Sequence, residues 1–294
     1  MPSLKDIRKR IASVKNTQKI TKAMKMVSSA KLRRAQQAMM QLRPYAAKHR
    51  ELLESLARQL GEMGEANAHP LLTARAEVKT VALVGISSDR GMCGGFNSAA
   101  LRKLLEVMRE RRAAGQRIVL YTIGRRMGGS GRKQTVDLHV DLGEVMSAAA
   151  PARVKGITAQ LVRAFVEGEV DEVIIVSNRF QSALTQVPTL YSLLPVASPA
   201  AGDGDAGGGS DNFYEPGQAE LLGYVVPRFV EVQVRQAILE SIAGEHAARM
   251  NAMSSATDNA SKMIQSLTLQ MNRARQAAIT KELMEIIGGS EAMK

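Results

Sequence analysis

The sequence predicts a two-part fold: a long antiparallel coiled coil of N- and C-terminal helices, plus a central Rossmann-like α/β domain with a mostly parallel sheet. Three observations predict it. No glycine precedes Gly61, the hydrophobic period changes to that of buried strands at Val78, and helical patterning returns from Arg228 to Ile287 with only Gly244 breaking its composition. Composition agrees, because aromatics make up 3% and Trp is absent while 45% of residues are hydrophobic, a balance favouring helix with enough apolar mass for a core.

The first helix is expected over about residues 3–59, within an N-terminal segment 1–60. Leu4, Ile7, Ile11 and Val14, then Met24 and Val27, follow a three-four alternation that makes a narrow stripe. Arg8, Lys9, Arg10, Lys15, Lys19, Lys22 and Lys25 stand between them, so the back of the helix is basic. Pro44 removes a backbone donor and is expected to kink or interrupt the helix. Residues 61–75 read as a linker.

The central domain is expected over 76–196. VKTVALVGI, starting at Val78, reads as a buried strand, and Asn97 or Ser98 is placed to cap a helix running to about Ala113. Strands follow at 117–123 and 172–177, a helix near 151–167 lies between them, and TQVPTLYSLLPV supplies a weaker strand containing two prolines. Alternating strands and helices indicate a mostly parallel sheet. The Ala/Gly/Asp-rich tract in 197–216 is expected to be a flexible loop.

The segment 217–294 carries the second long helix. Over 228–287 it would extend roughly 90 Å at 1.5 Å per residue, too long to pack inside its own globule. Its stripe is read as Met253, Ala256, Ala260, Met263, Leu267, Met271 and Ala274. Two such helices can hide their stripes on each other as an antiparallel pair, leaving the outer surface for a partner.

Charge is concentrated in one place. Residues 1–50 hold 14 of the 40 Lys+Arg and one of the 28 Asp+Glu, a net +13, while the remaining residues sum to −1. A basic helix suits nucleic acid, a membrane surface or an acidic protein partner, and charge alone leaves all three open. The near-absence of aromatics and of a DNA-binding module weighs against nucleic acid, and the narrow stripe weighs against a membrane-surface helix.

Candidate chemistry is sparse. The loop SSDRGMCGGFN at 87–97 follows a strand and opens a helix but lacks a phosphate-binding signature, and GRRMGGS at 124–130 lacks the lysine of such a loop. Both read as tight strand-to-helix turns, with a nucleotide-dependent enzyme as the rival. The single cysteine, Cys93, excludes an intramolecular disulfide and reads as buried and inert in a reducing cytoplasm, while the four histidines lack ligand spacing. His246 reads as an ordinary polar helix residue. No catalytic residue, cofactor or metal site is expected, and neither a signal peptide nor a membrane span is read.

Longer strings carry a resemblance. IASVKNTQKITKAMKMVSSAKLRRAQ at 11–36, ISSDRGMCGGFN at 86–97, SALTQVPTLYSLLPV at 182–196, EHAARMNAMSSATDNA at 245–260 and LTLQMNRARQAAITKELMEII at 267–287 resemble the gamma subunit of bacterial F-type ATP synthases. The resemblance implies a non-catalytic rotor shaft inside a ring of alternating alpha and beta subunits. Its α/β foot would sit on the c-ring beside epsilon, at the cytoplasmic face of the membrane. It further implies that Arg275 and Gln276 engage a loop of a beta subunit, and that Met24, Lys22 and Lys25 lie against an acidic segment of beta.

Overall fold

The computed structural model describes residues 4–62, 69–196 and 217–291. Eleven elements follow in order among them: α1 (Leu4–Glu62), β1 (Thr80–Ile86), α2 (Phe96–Ala113), β2 (Arg117–Ile123), α3 (Arg125–Gly131), β3 (Leu138–Asp141), α4 (Val145–Ala148), α5 (Pro151–Val166), β4 (Glu172–Phe180), β5 (Gln186–Leu194) and α6 (Gln218–Glu291). The predicted loop at 197–216 lies outside the described residues. The chain divides into two compact units, Met1–Ser29 with Arg249–Lys294, and Ala30–Ala248.

The larger unit holds a five-stranded sheet in the order β3-β2-β1-β4-β5. β1 pairs parallel with β2 and β4, and β2 parallel with β3, while β5 alone runs antiparallel, against β4. The sequence explains this layout. TVALVGI buries six of its seven residues, as a parallel strand covered on both faces requires. Val81, Leu83, Ile118, Leu120, Ile174 and Val176 of the sheet pack with Ala100, Leu104, Val107 and Met108 of α2 to form the core. β5 stands at an edge, where the missing N–H of Pro188 is tolerated.

A second cluster in this unit joins Leu42 of α1 to Val232 and Leu239 of α6, flanked by Ala38, Met39, Ala46 and Ala149. That packing brackets Pro44, and α1 runs through the proline without interruption. Of the expected kink or interruption, the interruption does not occur, and apolar contacts on both sides hold the turn.

Several local expectations are corrected. α2 begins at Phe96 with Gly95 as its N-cap, so neither Asn97 nor Ser98 caps it. Asn97 Oδ1 instead accepts from the Ser88 backbone amide at 3.1 Å and the Ser88 hydroxyl at 2.8 Å. The linker read over 61–75 is only partly one: α1 extends to Glu62, and Leu71 is buried with its carbonyl accepting from the Val196 amide. GRRMGGS forms α3 rather than a bare turn, entered through Gly124 at φ 96°. A Cβ there would lie 2.3 Å from the Ser87 carbonyl oxygen, so only glycine fits. β3 and α4 were not expected, and β4 runs three residues past the predicted end, to Phe180.

Candidate interaction surface of the paired terminal helices

The smaller unit pairs the start of α1 with the C-terminal part of α6. Ile7, Ile11 and Leu267 are buried together, with Val14, Met271 and Ala274 packed around them. Farther along α1, side chains meet through hydrogen bonds. Gln18 Nε2 donates to Ser261 Oγ at 2.7 Å, the hydroxyls of Thr21 and Thr257 lie 2.8 Å apart, and Lys25 Nζ donates to Ser254 Oγ at 3.0 Å. Ascending numbers in α1 meet descending numbers in α6, so the pair is antiparallel.

The seam is a strict three-four alternation, but its phase differs from the predicted one in two places. On α6, Met263 is 52% exposed, and Ile264 takes the inner position between Ala260 and Leu267. On α1, Val27 is 56% exposed while Ser28 is buried. Choosing Val27 over Ser28, or Met263 over Ile264, therefore misplaces the seam by one residue. Continuing the Leu4–Ile7–Ile11–Val14 rhythm leads through Gln18 and Thr21, which periodicity alone could have found.

The consequence is a polar layer inside and apolar side chains outside. Ile20, Met26 and Val27 face outward at 56–61% exposure, interleaved with exposed Lys19, Lys22 and Lys25. Met24, read both as part of the stripe and, with Lys22 and Lys25, as a contact residue, is half-buried, while Ile20 and Met26 are exposed apolar residues that sequence reasoning did not single out. On α6, Leu269, Ile279, Leu283, Met284, Ile286 and Ile287 are likewise exposed.

Arg275 and Gln276 are both exposed and make no hydrogen bond or ion pair among the described residues. They follow Met271 and Ala274, which pack near Ile7 and Ile11. Lys22, Met24 and Lys25 lie several turns away, level with Ser254 and Thr257. The predicted contact residues therefore form two separate sets, one at each level of the pair.

The remaining candidates lie in the larger unit. Cys93 is 2% exposed and accepts from Asn97 Nδ2 at 3.2 Å. Asp89, from the same loop, accepts from the amides of Arg125 and Val145 at 3.1 Å, joining the starts of α3 and α4. Ser88, Asp89 and Asn97 of the glycine-rich loop thus organise its own surroundings. His246, read as an ordinary polar helix residue, lies in α6 and is buried. Among the described residues, no cluster of three or more His, Cys, Asp or Glu could hold a metal, and no helix is long and apolar enough to cross a membrane.

The chain matches known proteins over its whole length. The family described as ATP synthase matches residues 3–293. The ATP synthase gamma chains of Anaeromyxobacter sp. (strain Fw109-5) and Geobacter sp. (strain M21) are 47% and 48% identical, each comparison covering 100% of both chains. Among solved structures, a Tetrahymena thermophila mitochondrial ATP synthase central stalk and c-ring chain shares the fold with a TM-score of 0.61 and 24% identity, covering 81% of this chain and 99% of that one. A Euglena gracilis mitochondrial ATP synthase chain does so with a TM-score of 0.63 and 21% identity, covering 99% and 94%. With paired terminal helices, a mostly parallel sheet and near-half identity from end to end, this chain belongs to the ATP synthase gamma chain family.

Proposed function

We propose that the chain is the central-stalk rotor of an F-type ATP synthase, coupling ion-driven rotation of a c-ring to conformational change at catalytic beta subunits. The observation that carries this reading is the surface of the paired helices, where basic and apolar side chains face outward at the level at which polar ones meet inside. A free-standing pair gains nothing from exposing Ile20, Met26 and Val27; a surrounding partner does. Spread positive charge on α1 attracts acidic partners without fixing one register, which suits a turning element.

In this reading gamma makes no bond itself. It supplies contacts that differ among otherwise equivalent beta sites, and such differential contact is what shifts a conformational equilibrium. Arg275 and Gln276 offer directed polar donors at one level, Lys22 and Lys25 a diffuse positive field at the other. The sheet-bearing unit would sit on the c-ring beside epsilon, placing the protein peripherally at the cytoplasmic face of the membrane.

The test is assembly with alpha and beta subunits followed by observation of a bead attached to Lys133→Cys in the Cys93→Ser background. ATP-driven stepwise rotation in one direction is expected. ATP hydrolysis with a stationary bead would refute the rotor assignment. Truncation after Gln276 is expected to weaken coupling of hydrolysis to rotation more than it weakens assembly; equal loss of both would remove any special role for the end of α6.

A further inference from the structure

The larger unit contains a cavity of about 360 Å³ whose charge the fold does not balance. Leu42 and Tyr45 of α1, Pro151, Ala152 and Lys155 at the start of α5, and Arg228, Glu231, Val232 and Arg235 of α6 line it. Its cations are Lys155, Arg228 and Arg235, and its one carboxylate, Glu231, is already paired with Arg228 at 2.5 Å. Two positive charges are left over.

Arg235 is the informative one. Its side chain is half-buried, and its Nε is cut off from solvent with no hydrogen-bond partner. Neither Arg235 nor Lys155 has a hydrogen bond or ion pair among the described residues. A guanidinium drawn partly out of water without a counter-charge is costly, and such an arrangement persists most readily where an anion completes it. The start of α5 adds to the same field, since its first turn holds no acid and its N-cap, Ala150, offers no side chain to the free amides.

From the leftover charge and the unpartnered guanidinium we infer that this cavity binds a phosphate group, carried either by a soluble phosphate compound or by a lipid headgroup. A phosphate monoester bears about −1.5 to −2 charges near neutral pH, matching the two uncompensated cations. Its several oxygens can accept from the forked Nη atoms of Arg235 and from Lys155 Nζ together, which a single carboxylate does less well. The cavity exceeds the size of bare phosphate, leaving room for a ligand body against Leu42, Pro151 and Val232.

The experiment uses the full chain at physiological ionic strength, where diffuse charge attraction is screened. Calorimetric titration with inorganic phosphate and pyrophosphate, and flotation with phosphatidylglycerol against phosphatidylcholine vesicles, distinguish the two sources. Arg235→Gln and Lys155→Gln are compared with Arg102→Gln, an exposed position outside the cavity, and thermal unfolding checks that each variant folds. Lys155 is exposed, so its variant keeps the test sound if loss of Arg235 disturbs packing. Saturable binding of either probe, weakened by about tenfold or more in the two cavity variants but not in Arg102→Gln, is expected. Pyrophosphate binding without vesicle binding assigns a soluble ligand, and the reverse assigns a lipid. Absence of saturable binding by both probes, or equal weakening by Arg102→Gln, would overturn the inference.

Discussion

Replacing Leu267 by alanine tests whether the helix pair is held by the seam described above. Leu267 is 6% exposed and packs with Ile7, Ile11, Val14, Met271 and Ala274. Leucine-to-alanine changes in cores cost about 2–5 kcal/mol, through lost transfer energy and the residual cavity. Only three residues of this cluster are buried outright, so neighbours at its rim can close part of the gap, and about 2–3 kcal/mol is expected. Read as local opening, that corresponds to amide exchange faster by about 30- to 150-fold. The measurement is native-state hydrogen exchange, followed over residues 4–18 and 261–278 and, as an internal reference, over β1, β2 and β4. Acceleration should be confined to the helical segments, because the sheet belongs to the other compact unit. Met263→Ala, at a 52% exposed position, should change stability by less than about 0.5 kcal/mol. Equal effects of the two substitutions, or equal loss of protection in β1, would refute the seam.

Gly124→Ala should destabilise the larger unit by about 2–4 kcal/mol in urea titration, since the new methyl meets the Ser87 carbonyl at a backbone angle that disfavours any side chain. Asp89→Ala should cost about 1–3 kcal/mol by the same assay, because one carboxylate serves the first turns of both α3 and α4. Burial, then the charge of Glu240 and the hydrogen bond to it, push the Tyr191 hydroxyl above its ordinary pKa of 10.0. The folded state therefore favours the neutral phenol, so its contribution is present below about pH 10 and lost as pH rises through the folded-state value. Thermal midpoints of the wild type should fall more steeply above pH 10 than those of Tyr191→Phe; parallel curves would show that Tyr191 is not the linked group.

The parts of the fold that were legible are those where one physical signal dominates. β1, β2 and β4 are buried on both faces, so VALVGI, IVLYTI and EVIIVS stand out as runs. β3 was not legible because LHVD is four residues long at a sheet edge and buries none of them. Pro44 does not interrupt α1 because Leu42 and Ala46 on either side of it belong to the cluster formed with Val232 and Leu239 of α6, contacts that local sequence does not reveal. Arg275 and Gln276 came from family resemblance rather than patterning, and the structure adds only that both are exposed and unengaged among the described residues. The cavity around Arg235 was invisible, because its lining comes from three helices far apart in sequence.

The phase of the seam bears most directly on function. Between Gln18 and Ser28, apolar side chains were available one residue from the inner positions, in Ile20 and Val27, yet the pair closes on amide and hydroxyl groups. An apolar layer there would bury more surface, so the arrangement does not maximise the stability of the isolated pair. Polar contacts between specific partners do what a uniform apolar seam cannot: slipping one helix along the other by a turn breaks each hydrogen bond while leaving apolar contact nearly unchanged. The layer therefore fixes register, and register fixes which side chains face outward at each level. The proposed contacts of Lys22 and Lys25 at one level and of Arg275 at another call for that fixed relation more than for additional stability. The outward apolar side chains then contribute only when something encloses them, so the pair is stabilised most in the assembly where it is proposed to turn.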